Sequence, residues 1–172
     1  MRNLLILLVI ITPKIIFGQE HSIEKILKSH FINLEHIECN YKQEKKLSML
    51  SEPLISTGIF KYERNRNIIW EQQIPFKKTF SINDKSENKL DKHINQFITS
   101  IINGEILEDK RLEVIYSQKN DNYMIVMIPK KGVIKKRIKK ITLTFRKKII
   151  SLNRFEIIFK NSDVTNIKFY DN

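Results

Sequence analysis

Ser56-Thr57-Gly58-Ile59-Phe60-Lys61-Tyr62-Glu63-Arg64-Asn65-Arg66-Asn67-Ile68-Ile69-Trp70, closed by Pro75, is the stretch that decides the fold. Gly58, Phe60 and Tyr62 fall on one side of an extended chain, and Ile59, Lys61 and Glu63 fall on the other. That two-residue period is the signature of a strand with one buried face. Arg64-Asn65-Arg66-Asn67 is a polar break with turn chemistry. Ile68-Ile69-Trp70 resumes the extended run, and Pro75, which has no N–H for a sheet ladder, ends it. The stretch therefore reads as a β-hairpin.

Upstream, Ile37, Cys39, Tyr41 and Gln43 share a face opposite Glu38, Asn40, Lys42 and Glu44, which is another strand. Before it, Ile23, Ile26, Leu27, Phe31 and Leu34 recur at helical spacing behind Ser22, a good cap, so a helix is expected over 22–34. Downstream, a short strand is expected from Lys78 to Ile82. A second helix follows at about 86–103, with Leu90, Ile94, Phe97, Ile98, Ile101 and Ile102 as its apolar stripe and Gly104 as its terminal cap. The rest is strand after strand. Leu112, Val114 and Tyr116 alternate, Tyr123 to Ile128 is apolar throughout, and Pro129-Lys130-Lys131-Gly132 breaks the run. Ile141, Leu143 and Phe145 share a face, as do Phe155, Ile157 and Phe159; Ile167 and Phe169 close the set. Strands in meander order with two amphipathic helices define an α+β domain built on an antiparallel sheet.

The N-terminus has the plan of a signal peptide: Met1-Arg2-Asn3, an apolar run from Leu4 to Ile11, and small Gly18 before Gln19. The run is too short for a membrane-spanning helix, which needs ~20 apolar residues. Residues 1–18 are expected to be removed, leaving 19–172 as one domain. Loss of Arg2 and Lys14 lowers the formal charge from +12 to +10. A chain of that size hides ~70 % of its unfolded surface, enough for a real core. Cys39 is the single cysteine, so no internal disulfide staples the fold, and its face makes it a small buried hydrophobe. The expected cleavage point is followed by Gln19 and not by a cysteine, so a soluble mature protein is expected rather than a lipid-anchored one.

The order S-x-G-x-F-x-Y…R…W…P resembles the LolA/LolB-like outer-membrane lipoprotein carrier superfamily. Gly58 to Arg64 is six residues, Arg64 to Trp70 six, and Trp70 to Pro75 five, as in that family's hairpin. Tyr41-x-Gln43 resembles its first strand, Ile128-Pro129-Lys130 its L-x-P strand end, and Asp163-x-Thr165…Ile167-x-Phe169 its final hairpin. The resemblance implies an incompletely closed, strongly curved antiparallel β-barrel with two main helices over its open, concave side. It implies a periplasmic carrier of acylated lipoprotein or lipid, working with inner-membrane release machinery and an outer-membrane acceptor. It also implies that Arg64 bonds main-chain groups of the helical lid as a latch. The family's usual proline after that arginine is Asn65 here. An envelope sensor or interaction module of the same fold is the alternative reading.

Phe60, Tyr62, Trp70, Leu90, Ile94, Phe97, Ile101, Leu143, Phe145 and Ile157 are the expected walls of an acyl-chain cavity. Such a cavity selects by burial, at ~0.8 kcal/mol per methylene, and needs no polar constellation. None is visible: His21, His30, His36 and His93 make no metal-ligand pair, and nucleophile elbows, zinc-protease motifs, P-loops and dinucleotide fingerprints are missing. No enzyme activity, metal or cofactor is expected. Lys130, Lys131, Lys135, Lys136, Arg137, Lys139 and Lys140 form a basic run without an intervening acid. An exported chain without interleaved aromatics points it away from nucleic acid and toward anionic headgroups or an acidic partner, the alternative being lysines that simply decorate solvated strand faces. A monomer is expected.

Overall fold

The hairpin of the opening stretch is the second and third strand of one long meander. The computed structural model describes residues 15–64, 68–81, 100–101 and 104–170. Among them β1 (His36–Lys46), β2 (Leu54–Glu63), β3 (Ile68–Ile74) and β4 (Lys78–Ser81) run antiparallel in sequence order. β5 (Leu112–Lys119), β6 (Asn122–Pro129), β7 (Ile138–Arg146), β8 (Ser151–Phe159) and β9 (Val164–Tyr170) form a second meander. The two join where β1 pairs with β9, from Asn40 opposite Tyr170 to Lys46 opposite Val164. The order is β4-β3-β2-β1-β9-β8-β7-β6-β5, every pair antiparallel, and among the described residues the sheet does not close on itself.

Alternation sorts the strands as their sequence dictates. Phe60, Tyr62, Trp70, Ile125, Met127, Leu143, Phe145, Ile157, Ile167 and Phe169 are all buried on the inner face. The pairing slips at three places, between Thr57 and Gly58, between Ile138 and Lys140, and between Thr144 and Phe145. Such slips bend a strand and increase its twist, which curves the sheet. At the first, Thr57 faces Ile74 while Gly58 faces Gln72, so Gln73 is the extra residue. Gly58 is required there: a Cβ would run into the Glu71 carbonyl oxygen and come within 2.9 Å of the Gln72 Cα.

α1 (Ile15–Ile32) lies over the inner face. Ile23, Leu27 and Phe31, one side of it, are buried with the sheet, and the Phe31 ring meets Phe145 of β7 edge-on at 5.5 Å. The helix starts earlier than the expected 22–34, because residues 15–21 continue it upstream and Ser22 sits inside it rather than capping it. It also ends sooner. Asn33 N–H and side-chain Nδ2 both turn back to the Ser29 carbonyl, and Leu34 N–H goes to Phe31 O, so the last turn tightens and stops.

Of the second expected helix only Ser100 and Ile101 are described, both helical, and Ile101 is buried; the remainder of 86–103 lies outside the described residues. Gly104 has φ 73° and its N–H bonds the Ile101 carbonyl, the left-handed geometry of a helix end. A 3-10 turn (Glu105–Glu108) follows. α2 (Gly132–Arg137) was not anticipated: the segment after Pro129, expected only as a break, makes one exposed helical stretch. Among the described residues no helix is long and apolar enough to cross a membrane.

Candidate lipid cavity under α1

The inner faces of the strands and the C-terminal half of α1 do not meet everywhere. Between them lies a cavity of about 390 Å³, within the ~300–1,000 Å³ range of small-molecule sites. Phe31, Leu34 and Ile101 line its helical side; Cys39, Phe60, Phe145, Leu152 and Phe169 line the sheet side. His30, His36, Glu38 and Ser151 are its polar wall residues. A wider, open groove of about 870 Å³ runs along the outer flank of α1, past Lys25, Ile26, Ser29 and Asn33. Both volumes are bounded by His30, Leu34, His36 and Ile150, so these four side chains stand between the cavity and solvent.

The surroundings disfavour charge. Burial pushes the Tyr41 hydroxyl up to about 12, and burial lowers the His30 imidazole below its ordinary 6.5. Each shift favours the neutral form, as a poorly hydrated site demands. The His30 ring stands 5.9 Å from Phe31 and 6.4 Å from Phe145, edge-on to both. Beside the cavity an aromatic cluster fills the interior, with Phe60 against Trp70 at 4.6 Å and Tyr41 against Trp70 at 4.9 Å.

Arg64 follows β2 directly and reaches the end of α1. Its Nε donates to the Leu34 carbonyl at 3.0 Å and its Nη2 to the Phe31 carbonyl at 3.2 Å. Its backbone N–H donates to the Glu35 carbonyl at 2.9 Å, and Nε lies 3.2 Å from the Glu35 carboxylate. The last four carbonyls of a helix have no partner inside it and carry the negative end of its dipole. A planar guanidinium can serve one of them, Phe31 O, together with Leu34 O just beyond the helix, and a cation suits the dipole. Arg64 thus ties the 31–35 segment to the sheet at the edge of the cavity, since Phe31 and Leu34 are also its walls.

Of the residues expected to wall a cavity, Phe60, Ile101 and Phe145 line this one. Tyr62, Trp70, Leu143 and Ile157 are buried but do not line it. Alternation puts them on the inner face, but this cavity lies under the C-terminal half of α1, and these four pack into the buried core beside it. Leu90, Ile94 and Phe97 lie outside the described residues. His30, His36 and Ile150 were missed as wall residues. Nothing in their local pattern marks them, because it is the end of α1 that brings them together.

The basic run is on the surface. Lys130, Lys131, Lys135, Lys136, Arg137 and Lys139 are exposed and Lys140 half-buried. Lys130 pairs with Glu113 at 3.3 Å.

No family profile matches the chain, and no curated protein does. Among solved structures, the chain is similar to a LolA superfamily protein from Nitrosomonas europaea, with TM-score 0.34 and 8 % identity over 88 % of this chain and 91 % of that one. It is also similar to a DUF1329 family protein from Desulfovibrio piger, with TM-score 0.37 and 9 % identity over 87 % of this chain and 90 % of that one.

Proposed function

We propose that this protein is an exported, periplasmic carrier that shelters acyl chains of a lipoprotein or lipid under α1 and moves them toward the outer membrane, with residues 1–18 as its export signal. The observation that carries the reading is the largely apolar cavity whose helical wall is held down by Arg64. The motif order of the hairpin agrees with it. In this reading Arg64 is the latch. At about 390 Å³ the cavity is small for several acyl chains, so α1 has to lift, and lifting breaks the bonds to Phe31 O and Leu34 O. Cargo enters past His30, Leu34, His36 and Ile150. It leaves when an acceptor offers more apolar burial, and re-formation of the Arg64 bonds helps expel it.

Hydrogen bonds to a charged group contribute ~1.5–3 kcal/mol, so losing them shifts the lid toward open. An acylated fluorescent probe should load onto Arg64→Leu at least as well as onto wild type, and transfer from the variant to acceptor membranes should be about tenfold or more slower. Equal transfer rates remove the latch role. A wild-type protein that binds probe but never transfers it points instead to the envelope sensor, and one that binds no acylated probe ends the carrier reading.

A further inference from the structure

Four connections come together at one end of the sheet, and register fixes which. β1 ends and β2 begins there, at the turn 47–53; β3 passes to β4 there, at 75–77; β6 passes to β7 through α2; and β8 passes to β9 at 160–163. Hydrogen bonds stitch three of them side by side. Ser48 N–H donates to the Asp163 carboxylate at 2.7 Å, and Lys160 N–H donates to the Arg137 carbonyl at 2.8 Å.

This end carries two kinds of side chain that a solvated rim does not need. The first is apolar. Met49 (84 % exposed) and Leu50 occupy the first turn, and Leu54 and Ile55 open β2. Ile74 closes β3, and Phe76 (64 % exposed) follows it. Scattered exposed hydrophobes are ordinary, but six on or next to two adjacent connections concentrate apolar surface at this end. The second is basic: the exposed lysines and Arg137 of the 130–139 segment, with Val133 (70 % exposed) among them. Lys45, Lys46, Lys77, Lys78, Lys110, Arg111 and Lys160 are also at this end by register. Its acids are fewer than its cations and partly engaged: Asp163 is held by Ser48, Glu113 by Lys130, Asp109 by Arg111, and Glu24 and Glu108 by Lys28; Glu52 lies in the first turn and Glu44 near the end of β1.

We propose that this end of the barrel docks on an anionic bilayer surface, the 47–55 and 74–76 tips entering the headgroup–acyl boundary while the α2 segment lies on the lipid phosphates. A nucleic acid would use the cations but has nothing to offer six aliphatic and aromatic tips. A lipid interface uses both, the apolar tips by burial and the cations by attraction to the negative surface. The cavity walls at Leu34, His36 and Ile150 belong to the opposite end of the strands, where β1 and β8 begin. The docking inference therefore stands whether or not the cavity carries lipid, and it leaves the cavity mouth facing away from the docked membrane.

The test is flotation of the intact chain with vesicles of phosphatidylglycerol and phosphatidylethanolamine, and with phosphatidylcholine vesicles, at low and high salt. Wild type should bind the anionic vesicles, release as salt rises, and leave the neutral ones largely unbound. Met49→Ser with Phe76→Ser should weaken anionic binding about tenfold or more. Lys131→Gln, Lys135→Gln and Lys136→Gln together should weaken it about a hundredfold. All these positions are exposed, so the thermal midpoint and binding of an acylated probe should stay as in wild type. Equal binding to phosphatidylcholine overturns the proposal. So does an apolar-tip variant that floats like wild type, the result expected if the cations serve an acidic protein instead.

Discussion

Gly58 and Arg64 show how much can hang on one residue. Gly58 sits at the β2–β3 bulge with the Glu71 carbonyl where a Cβ would go. Gly58→Ala should therefore displace backbone, not a yielding side chain, with a loss of ~3 kcal/mol or more, at or beyond the usual upper range for overpacking. Calorimetry should show a midpoint lower by about 5 °C or more; an unchanged midpoint would mean the bulge is not where the register puts it. Arg64→Lys keeps the charge at the end of α1 but cannot serve the Phe31 and Leu34 carbonyls in one plane. It should recover only part of the stability that Arg64→Leu loses, read from denaturation midpoints of the three proteins. The alternation around Gly58 was legible in the sequence as an inner-face position; the reason for glycine was not, because the atom it avoids belongs to the next strand. Likewise the guanidinium could be singled out, but its partners are backbone oxygens some thirty residues upstream, and carbonyls have no sequence identity.

Among the elements, α1 is the one whose attachment matters most. Leu27 is fully buried on its sheet-facing side, and Leu27→Ala should cost ~2–5 kcal/mol in chemical denaturation. A smaller loss would mean that α1 rides loosely on the sheet. His30 makes the same element sensitive to acid. Burial holds its folded pKa below the ordinary 6.5, so on acidification the unfolded chain takes up a proton before the folded one does. Stability from this group is full above 6.5 and falls as pH drops below it. His30→Gln should flatten the fall in thermal midpoint between neutral and mildly acidic pH; an identical slope in the variant would assign the acid sensitivity to other groups. The strands were the most legible elements, since a two-residue period survives in any half-buried strand. α1 was legible by its stripe but not in its limits, which are set upstream by chain that continues the helix and downstream by Arg64. α2 was not legible at all: a lysine-rich stretch with no buried side chain has no apolar period to betray it.

At the scale of the whole molecule, the sheet of the described residues is two meanders ending at β4 and β5, with one seam, β1 with β9. β4 has four residues and, among the described residues, a neighbour on one side only. Hydrogen exchange by mass spectrometry should find it opening first, and the central strands β1, β9 and β8 last. Protection in β4 as strong as in β1 would contradict this order. Local patterns predicted most of the strands of each meander but carried no sign of the seam, because Asn40 and Tyr170 are matched only by three-dimensional register. That seam also sets a timetable for synthesis. The strand that β1 needs on its open side is the last of the nine to leave the ribosome, so the newborn chain cannot finish its interior while it is being made. Long-range pairing of this kind is slow and leaves edges open to aggregation in the meantime. The same delay keeps the chain threadable, which in the proposed role of an exported carrier would let it fold only after passing a narrow translocation pore.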